Sequence, residues 1–197
     1  MKAEFDAFDT ITTNSLILRQ FDANDIAALF AIHRDEDVNT FLPWFPLKSL
    51  AEAAEFYRKN YAEIPPDAYK YAICLKSDNI PIGYVHVGGG DNYDFGYGLR
   101  RDFWHRGIVT EACKAVVERL RKTDIPYITA THDVNNPRSG GVMKNIGMTY
   151  RYSYEEQWQP KNITVLFRMY QLNFDGQNDR VFKGYWDNSS VRFVEEI

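Results

Sequence analysis

Residues 95–122 constrain the fold most strongly. In this stretch a short apolar run is followed by a basic segment, then by a glycine, and then by an amphipathic helix. After Gly107, apolar residues recur at positions 109, 112, 113, 116 and 120. This spacing places them on one face of a helix. The first turn of a helix leaves backbone N–H groups unpaired at the positive end of the helix dipole. Since glycine has no side chain, an anion can approach the backbone closely there, and the stretch predicts a binding site for an anion such as a phosphate.

The same stretch resembles the acetyl-CoA loop of a known enzyme family. The run from Trp104 to Ala112, with Gly107 and a Thr-Glu-Ala sequence, is similar to the pyrophosphate loop of the GNAT N-acetyltransferases. It is most similar to their ribosomal-protein-acetylating (RimJ/RimL-like) branch. The segment from Asn135 to Met148 is similar to that branch's second signature, with methionine in place of its usual phenylalanine. The resemblance covers roughly residues 15–173, and both motifs occur in the expected order.

The chain pattern predicts an α/β (α+β) fold. Strands are predicted at 16–21, 71–75, 82–87, 95–99, 127–132, 150–154 and 164–172. A strand, helix and strand in succession, over 95–132, predict a parallel pair joined by a right-handed crossover. We expect a mixed, mostly antiparallel central sheet with helices on both faces. The resemblance implies a GNAT-like fold in which the parallel pair splays apart at the acetyl-CoA site.

Residues 1–173 are predicted to form one GNAT-like acetyltransferase domain, and residues 174–197 a C-terminal extension. The extension lies outside the resemblance, yet Phe182, Tyr185 and Trp186 have the spacing of a short amphipathic helix. A disordered tail rarely carries so much apolar material. We therefore expect the extension to pack on its own domain. Two alternatives stay open: a contact with a partner subunit, as in a homodimer, and a wall of the substrate pocket.

Composition and charge exclude several classes of function. A net charge of −4 leaves no excess of Lys and Arg to neutralise phosphates, so nucleic acid is not an expected partner. No apolar run is long enough to span a membrane, and residues 1–14 do not resemble a secretory signal. Cys74 and Cys113 are expected to be buried thiols in a reducing, cytoplasmic compartment. The four histidines are dispersed, so we expect no metal site.

The resemblance implies acetyl-CoA as the cosubstrate and assigns residues that would bind it. The backbone near Leu99 and Arg101 would face the pantetheine arm, and the loop that precedes the helix would bind the pyrophosphate. Asn135 would bind the arm or orient a water molecule. The candidate cofactor-binding residues are Leu99, Arg101, His105, Arg106, Gly107, Ile108, Val109, Thr110, Asn135, Ser139 and Lys144.

Transfer of an acetyl group to an amine requires a group that removes the amine's proton and a group that protonates the leaving thiolate. The resemblance assigns the base to Asp94, although this residue could equally cap the glycine-rich turn at 88–90. His132 is the second candidate base, with a purely structural role as its alternative. Ser139 is the candidate acid, but helix capping alone would also explain Ser139 and its neighbouring asparagines.

These observations predict an acetyl-CoA-dependent N-acetyltransferase. It would move an acetyl group to a primary amine of a small molecule or of a protein N-terminus by direct attack, without a covalent enzyme intermediate. Two alternatives are a regulatory module that binds acyl-CoA without catalysis and a transferase that uses another acyl-CoA. The sequence does not identify the amine.

Overall fold

The strands pair into two sheets in this computed structural model, which describes residues 9–197. The first sheet is antiparallel, in the order β1-β2-β3-β4-β5. Its strands are β1 (Ile11–Thr12), β2 (Leu16–Arg19), β3 (Tyr69–Leu75), β4 (Pro81–Val87) and β5 (Phe95–Leu99). The second sheet is also antiparallel, in the order β6-β8-β7-β9. Its strands are β6 (Tyr127–Asp133), β7 (Thr149–Trp158), β8 (Ile163–Asn173) and β9 (Arg192–Phe193).

Helices cover both faces of the first sheet, as the sequence predicts. They are α1 (Ile26–His33), α2 (Glu36–Asn39), α3 (Leu50–Asn60), α4 (Ile108–Leu120), α5 (Pro137–Asn145) and α6 (Gly184–Asn188). Alternate residues of a strand point to opposite faces. In β3, Tyr71 and Ile73 join the core under α4 and α5, whereas Ala72 and Cys74 join the core under α1 and α3. The sheet therefore separates two apolar layers.

The periodic pattern of α4 is confirmed. The helix buries Ala112, Cys113, Val116 and Leu120, and Val109 packs against the same core. Both cysteines are buried free thiols, as expected. Among residues 9–197, no helix is long and apolar enough to cross a bilayer.

The splayed parallel pair predicted for β5 and β6 does not appear as a pairing of strands in the sheet topology of residues 9–197. In the described part of the chain, one isolated parallel bridge between Asp94 and Thr129 joins them, with the Thr129 N–H donating to the Tyr93 carbonyl at 3.3 Å. Strand β6 instead pairs antiparallel with β8. The fold is thus α+β and mostly antiparallel, with little backbone pairing where the two sheets meet.

Residues of the C-terminal extension lie on the second sheet. Strand β9 pairs with β7 through Ser153 and Tyr154. Phe182, Tyr185 and Trp186 pack against the cluster that contains Tyr154. Tyr185 and Trp186 lie in the helix α6, in agreement with the predicted amphipathic segment, whereas Phe182 precedes that helix. The division of the chain at residue 173 remains a prediction.

Candidate active site

The loop before α4 presents backbone N–H groups to open space. Gly107 has a φ of 75°, which glycine adopts without strain. A Cβ at Gly107 would meet no atom within 4 Å. The first helical hydrogen bond runs from the Glu111 N–H to the Gly107 carbonyl, so the N–H groups of residues 108–110 have no intrahelical acceptor. This geometry fits a pyrophosphate, because an anion can approach the positive end of the helix without displacing a side chain.

The side chains around this loop either attach it to β5 or are exposed to solvent. The Trp104 indole N–H donates to the Leu99 carbonyl at 2.8 Å, which ties the loop to the end of β5. His105 and Arg106 are exposed, and the Arg106 guanidinium lies 5.4 Å from the centre of the Phe103 ring. Two of the predicted cofactor-binding side chains are therefore accessible in front of the helix.

One edge of β5 has unpaired peptide groups beyond the bridge at Asp94. Gly96 and Gly98 pair with residues of β4, and the Gly88 N–H donates to the Asp94 carbonyl. Because antiparallel pairing alternates, the peptide groups of Tyr97 and Leu99 point away from β4. The Leu99 carbonyl is taken by Trp104. The remaining groups face the space between β5 and β6, which we call the gap.

Asp94 lies at the start of the gap, on the sheet face that carries α1 and α3. Its Oδ2 is 3.9 Å from the Nε2 of His86, whose ring lies over Gly96. We call this side the acceptor face. Asp67, rather than Asp94, accepts the Gly90 N–H of the glycine-rich turn at 3.1 Å. The described hydrogen bonds therefore give that capping role to a different aspartate.

Ser139 lies on the opposite side of the sheet, which we call the donor face, where Tyr97 contacts it. The Tyr97 hydroxyl donates to the Ser139 carbonyl at 2.7 Å and is 3.0 Å from the Ser139 Oγ. Desolvation raises the pKa of Tyr97, so its hydroxyl stays protonated. Tyr97 was not among the predicted site residues. It is spaced by two residues from both Phe95 and Leu99, so it lies with them on the face that α4 covers.

The asparagines near Ser139 have separate local roles. The Asn136 side chain accepts the Ser139 N–H at 3.4 Å and caps α5. The Asn135 side chain donates to Asp133 Oδ1 at 2.9 Å, and both Asn135 and Lys144 are exposed. Capping thus accounts for Asn136, whereas the Ser139 hydroxyl faces Tyr97.

His132 is buried on the donor face beneath α5. Its Nδ1 lies 2.8 Å from the Asp133 carbonyl, and its Nε2 has no hydrogen-bond partner among the described residues. A Cβ at Gly140 would lie only 2.5 Å from that nitrogen. Burial lowers the pKa of His132. The structure therefore places the two candidate bases, His132 and Asp94, on opposite faces of the sheet.

Arg101 lines a cavity of about 620 Å³ between the end of α1 and the residues after β5. Its guanidinium forms ion pairs with Asp35, at 3.2 Å, and with Asp37. The cavity contains neither Asp94 nor Ser139. The Arg101 side chain is thus bound to the turn that leads into α2, which leaves its backbone as the predicted cofactor contact.

Three further residues near Asp94 come from distant parts of the chain. The Tyr154 hydroxyl donates to Glu156 Oε2 at 3.3 Å. The ring of Tyr185, in α6, stacks on that of Tyr154 at 5.1 Å and an interplanar angle of 6°. Desolvation raises the pKa of Glu156, and the charge of Asp94 raises it further. No sequence motif marks these residues, because only the packing of β7 and α6 brings them to Asp94.

The sequence also matches the model of a known protein family. The acetyltransferase (GNAT) domain matches residues 15–149, which is more than half of the chain. The chain belongs to the GNAT acetyltransferase family. It is therefore an acyltransferase, an N-acetyltransferase that depends on acetyl-CoA.

Individual proteins to which the chain is similar are also acetyltransferases. This GNAT protein is 28% identical over 142 residues to the uncharacterized N-acetyltransferase YnaD of Bacillus subtilis (strain 168), which covers 70% of the chain and 81% of the relative. A GNAT-family acetyltransferase from Bacillus anthracis matches with a TM-score of 0.74 and 21% identity, covering 85% and 99% of the two chains. RimL, a ribosomal L7/L12 α-N-protein acetyltransferase in complex with coenzyme A, matches with a TM-score of 0.70 and 20% identity over 85% and 99%. The two structures establish the fold.

Proposed function

We propose that this GNAT protein transfers the acetyl group of acetyl-CoA to a primary amine by direct attack of the bound amine. The acceptor is a small molecule or a protein N-terminus. The observation that carries the proposal is the gap, which opens at the Asp94–Thr129 bridge and leads towards the N-terminus of α4. Because the gap is an opening between two strands, it would connect the face that carries Asp94 with the face that carries Ser139.

The donor face would hold acetyl-CoA mainly through backbone groups. Gly107 and the N–H groups of Ile108, Val109 and Thr110 would bind the pyrophosphate, with His105 and Arg106 beside them. The open edge of β5, near Leu99 and Arg101, would hold the pantetheine arm, so that β5 and β6 act as a splayed parallel pair. Asn135 and Lys144, both exposed, would complete the contacts near α5. Acetyl-CoA supplies the activated acetyl thioester.

The two faces would divide the proton transfers. Asp94 would take a proton from the ammonium form of the acceptor, directly or through one water molecule, because only the neutral amine attacks a thioester. Ser139 would donate a proton to the departing sulfur and take in exchange the proton that the attacking nitrogen loses as the tetrahedral intermediate collapses. Tyr97 would position the Ser139 hydroxyl through the 3.0 Å contact between their oxygens. Asp94 is preferred over His132 because it is accessible on the face from which the amine would arrive.

RimL provides an example of an acceptor class among proteins of this fold. Its described activity is acetylation of the α-amine of ribosomal protein L7/L12, which supports protein N-termini as one candidate class here. We propose that residues 1–173 form the catalytic domain and that residues 174–197 are an extension of it. Homodimer formation remains a prediction from the sequence.

Amine-dependent thiol release tests the proposed function. Purified protein is mixed with acetyl-CoA and a panel of peptides, polyamines, amino acids and aminoglycosides, and free coenzyme A is measured with a thiol reagent. We expect at least one amine to accelerate release, and Asp94→Asn to remove most of that acceleration. Binding of acetyl-CoA without release for any amine would favour the non-catalytic module. Faster release from succinyl-CoA would favour another acyl donor.

A further inference from the structure

A second carboxylate, that of Glu156, lies close to Asp94 on the acceptor face. Thr129, the bridge partner of Asp94, donates its hydroxyl to the Asn92 carbonyl at 2.8 Å. The Asn92 side chain donates to the Tyr185 hydroxyl at 3.0 Å. These contacts connect the bridge to the stacked rings of Tyr185 and Tyr154, and Tyr154 contacts Glu156. The Glu156 side chain is exposed, so a ligand can reach it.

Several other carboxylates of the described residues are neutralised by an arginine. Asp25 is paired with Arg19 at 2.7 Å, Asp175 with Arg180 at 2.6 Å, and Glu195 with Arg168. Within residues 9–197, neither Asp94 nor Glu156 forms an ion pair with a lysine or arginine, and the ring of His86 is the nearest basic group to Asp94. Lys161, which follows β7 in the chain, donates to the Asn39 carbonyl at 2.7 Å.

A carboxylate that lies near a second negative charge is stabilised in its ionised form when a cation lies beside it. Burial among neighbouring groups raises the pKa of Glu156, with a smaller rise from the charge of Asp94. The rings of Tyr154 and Tyr185 stack on each other, and Phe167 stacks on Tyr154, so the rings form an apolar wall beside Glu156. The two carboxylates make this part of the site complementary to a positively charged group.

We infer that Glu156 is a specificity-determining residue and that the acceptor carries a second positive charge. The amine that is acetylated lies at Asp94, and a second ammonium group lies beside the Glu156 carboxylate. The inference rests on the proposed function and names the acceptor class of that site. Because Tyr185 belongs to α6, the C-terminal extension forms part of the acceptor pocket.

Matched amines test the charge requirement directly. Thiol release and calorimetric binding are measured with 1,3-diaminopropane, 1,4-diaminobutane and 1,5-diaminopentane, and with the monoamines of the same lengths. A second pair consists of the peptide amides Ala-Lys and Ala-norleucine. We expect the doubly charged member of each pair to bind more tightly by about tenfold, or ~1.4 kcal/mol, which is close to the contribution of one hydrogen bond to a charged group.

Two variants assign the preference to a residue. In Glu156→Gln, the dissociation constant or KM of the doubly charged ligand should rise about tenfold, while that of the singly charged analogue stays unchanged. Glu155→Gln is the matched control, because its side chain points to the opposite face of β7, and it should leave both values unchanged. Equal binding of singly and doubly charged ligands, or a preference that survives in Glu156→Gln, would overturn the inference.

The binding measurement separates this inference from the proposed function. If no amine releases coenzyme A but diamines still bind preferentially through Glu156, the acetyl transfer fails and the charge preference stands. If the best acceptor of the panel carries a single positive charge and Glu156→Gln uses it normally, the transfer stands and the inference fails.

Discussion

The two sides of the gap are built in different ways. The donor face relies on backbone groups that are contiguous in sequence, with Gly107 and the first turn of α4 at its centre. The acceptor face relies on side chains from three separate segments, those of Asp94, Glu156 and Tyr185. A site made of backbone groups needs a special residue only where the chain bends or a ligand approaches closely. The donor face can therefore be recognised from a short motif, whereas the acceptor face becomes visible only in the fold.

The largest effect is expected on the acceptor face, from Asp94→Asn. An amide cannot accept the proton of an ammonium group, so kcat/KM should fall by about 10²- to 10³-fold at neutral pH. The dissociation constant for acetyl-CoA should stay unchanged, because the cofactor is held on the other face. Steady-state thiol release and calorimetry measure the two quantities. Parallel losses in both would show that the faces are not independent.

A buried histidine on the acceptor face should make the protein sensitive to acid. His33 is buried against Phe56 and Tyr84, neither ring nitrogen has a partner among the described residues, and burial lowers its pKa to about 4. The unfolded chain therefore binds a proton at higher pH than the folded chain does. The free energy of unfolding therefore has its full value above about pH 6.5 and falls as the pH approaches 4, by at most about 3 kcal/mol.

Urea unfolding at pH 7 and at pH 4.5 measures this loss. His33→Phe should show a smaller difference in unfolding free energy between the two pH values than the wild-type protein. The exposed His105 is the control position, and His105→Gln should behave like the wild type. A pH dependence that is unchanged in His33→Phe would assign the acid sensitivity to another group.

On the donor face, Ser139→Ala should lower kcat by about 10- to 100-fold if its hydroxyl protonates the leaving sulfur. Its effect on the dissociation constant for acetyl-CoA should be smaller, because one hydrogen bond contributes about 1 kcal/mol. Tyr97→Phe should lower kcat less. Since Tyr97 acts through Ser139, the double variant should be no slower than Ser139→Ala alone. Additive losses would mean that Tyr97 has a separate role.

The smallest effect is expected where the extension is attached. Glu195 accepts hydrogen bonds from Arg168 at 3.1 Å and from Ser153. Glu195→Gln weakens this charged contact and should reduce the free energy of unfolding by about 1 kcal/mol. If the extension forms part of the acceptor pocket, the KM for the amine should rise modestly while acetyl-CoA binding does not change. An unchanged KM would indicate that this contact does not position Tyr185.

Much of the fold follows from local pattern. The β5 strand at residues 95–99 and the buried positions of α4 are as predicted, because each has a clear period and a glycine boundary. The crossover pattern predicts a parallel pairing of β5 with β6, but in the described part of the chain one isolated bridge joins them. The crossover rule identifies strands that lie side by side. It does not specify how many of their peptide groups are bonded.

The residues around the gap were predictable to different degrees. Gly107 could be found because a positive φ and a close approach both favour glycine. Tyr97, Glu156 and Tyr185 carry no motif. Their positions depend on strand register and on how α6 packs against β7, both of which are set by the tertiary structure. The roles of the candidate site residues remain predictions for the experiments above.

The most direct measurement is a calorimetric titration of acetyl-CoA into the wild-type protein, Gly107→Asp and Gly176→Asp. Gly176 is a matched control, because it also has a positive φ, of 80°, and open space around a Cβ. A carboxylate at position 107 would occupy the binding site of the pyrophosphate. We therefore predict that the wild type binds acetyl-CoA with micromolar affinity and that only Gly107→Asp loses affinity, by about 100-fold. Equal affinity in all three proteins would contradict a donor site at the start of α4.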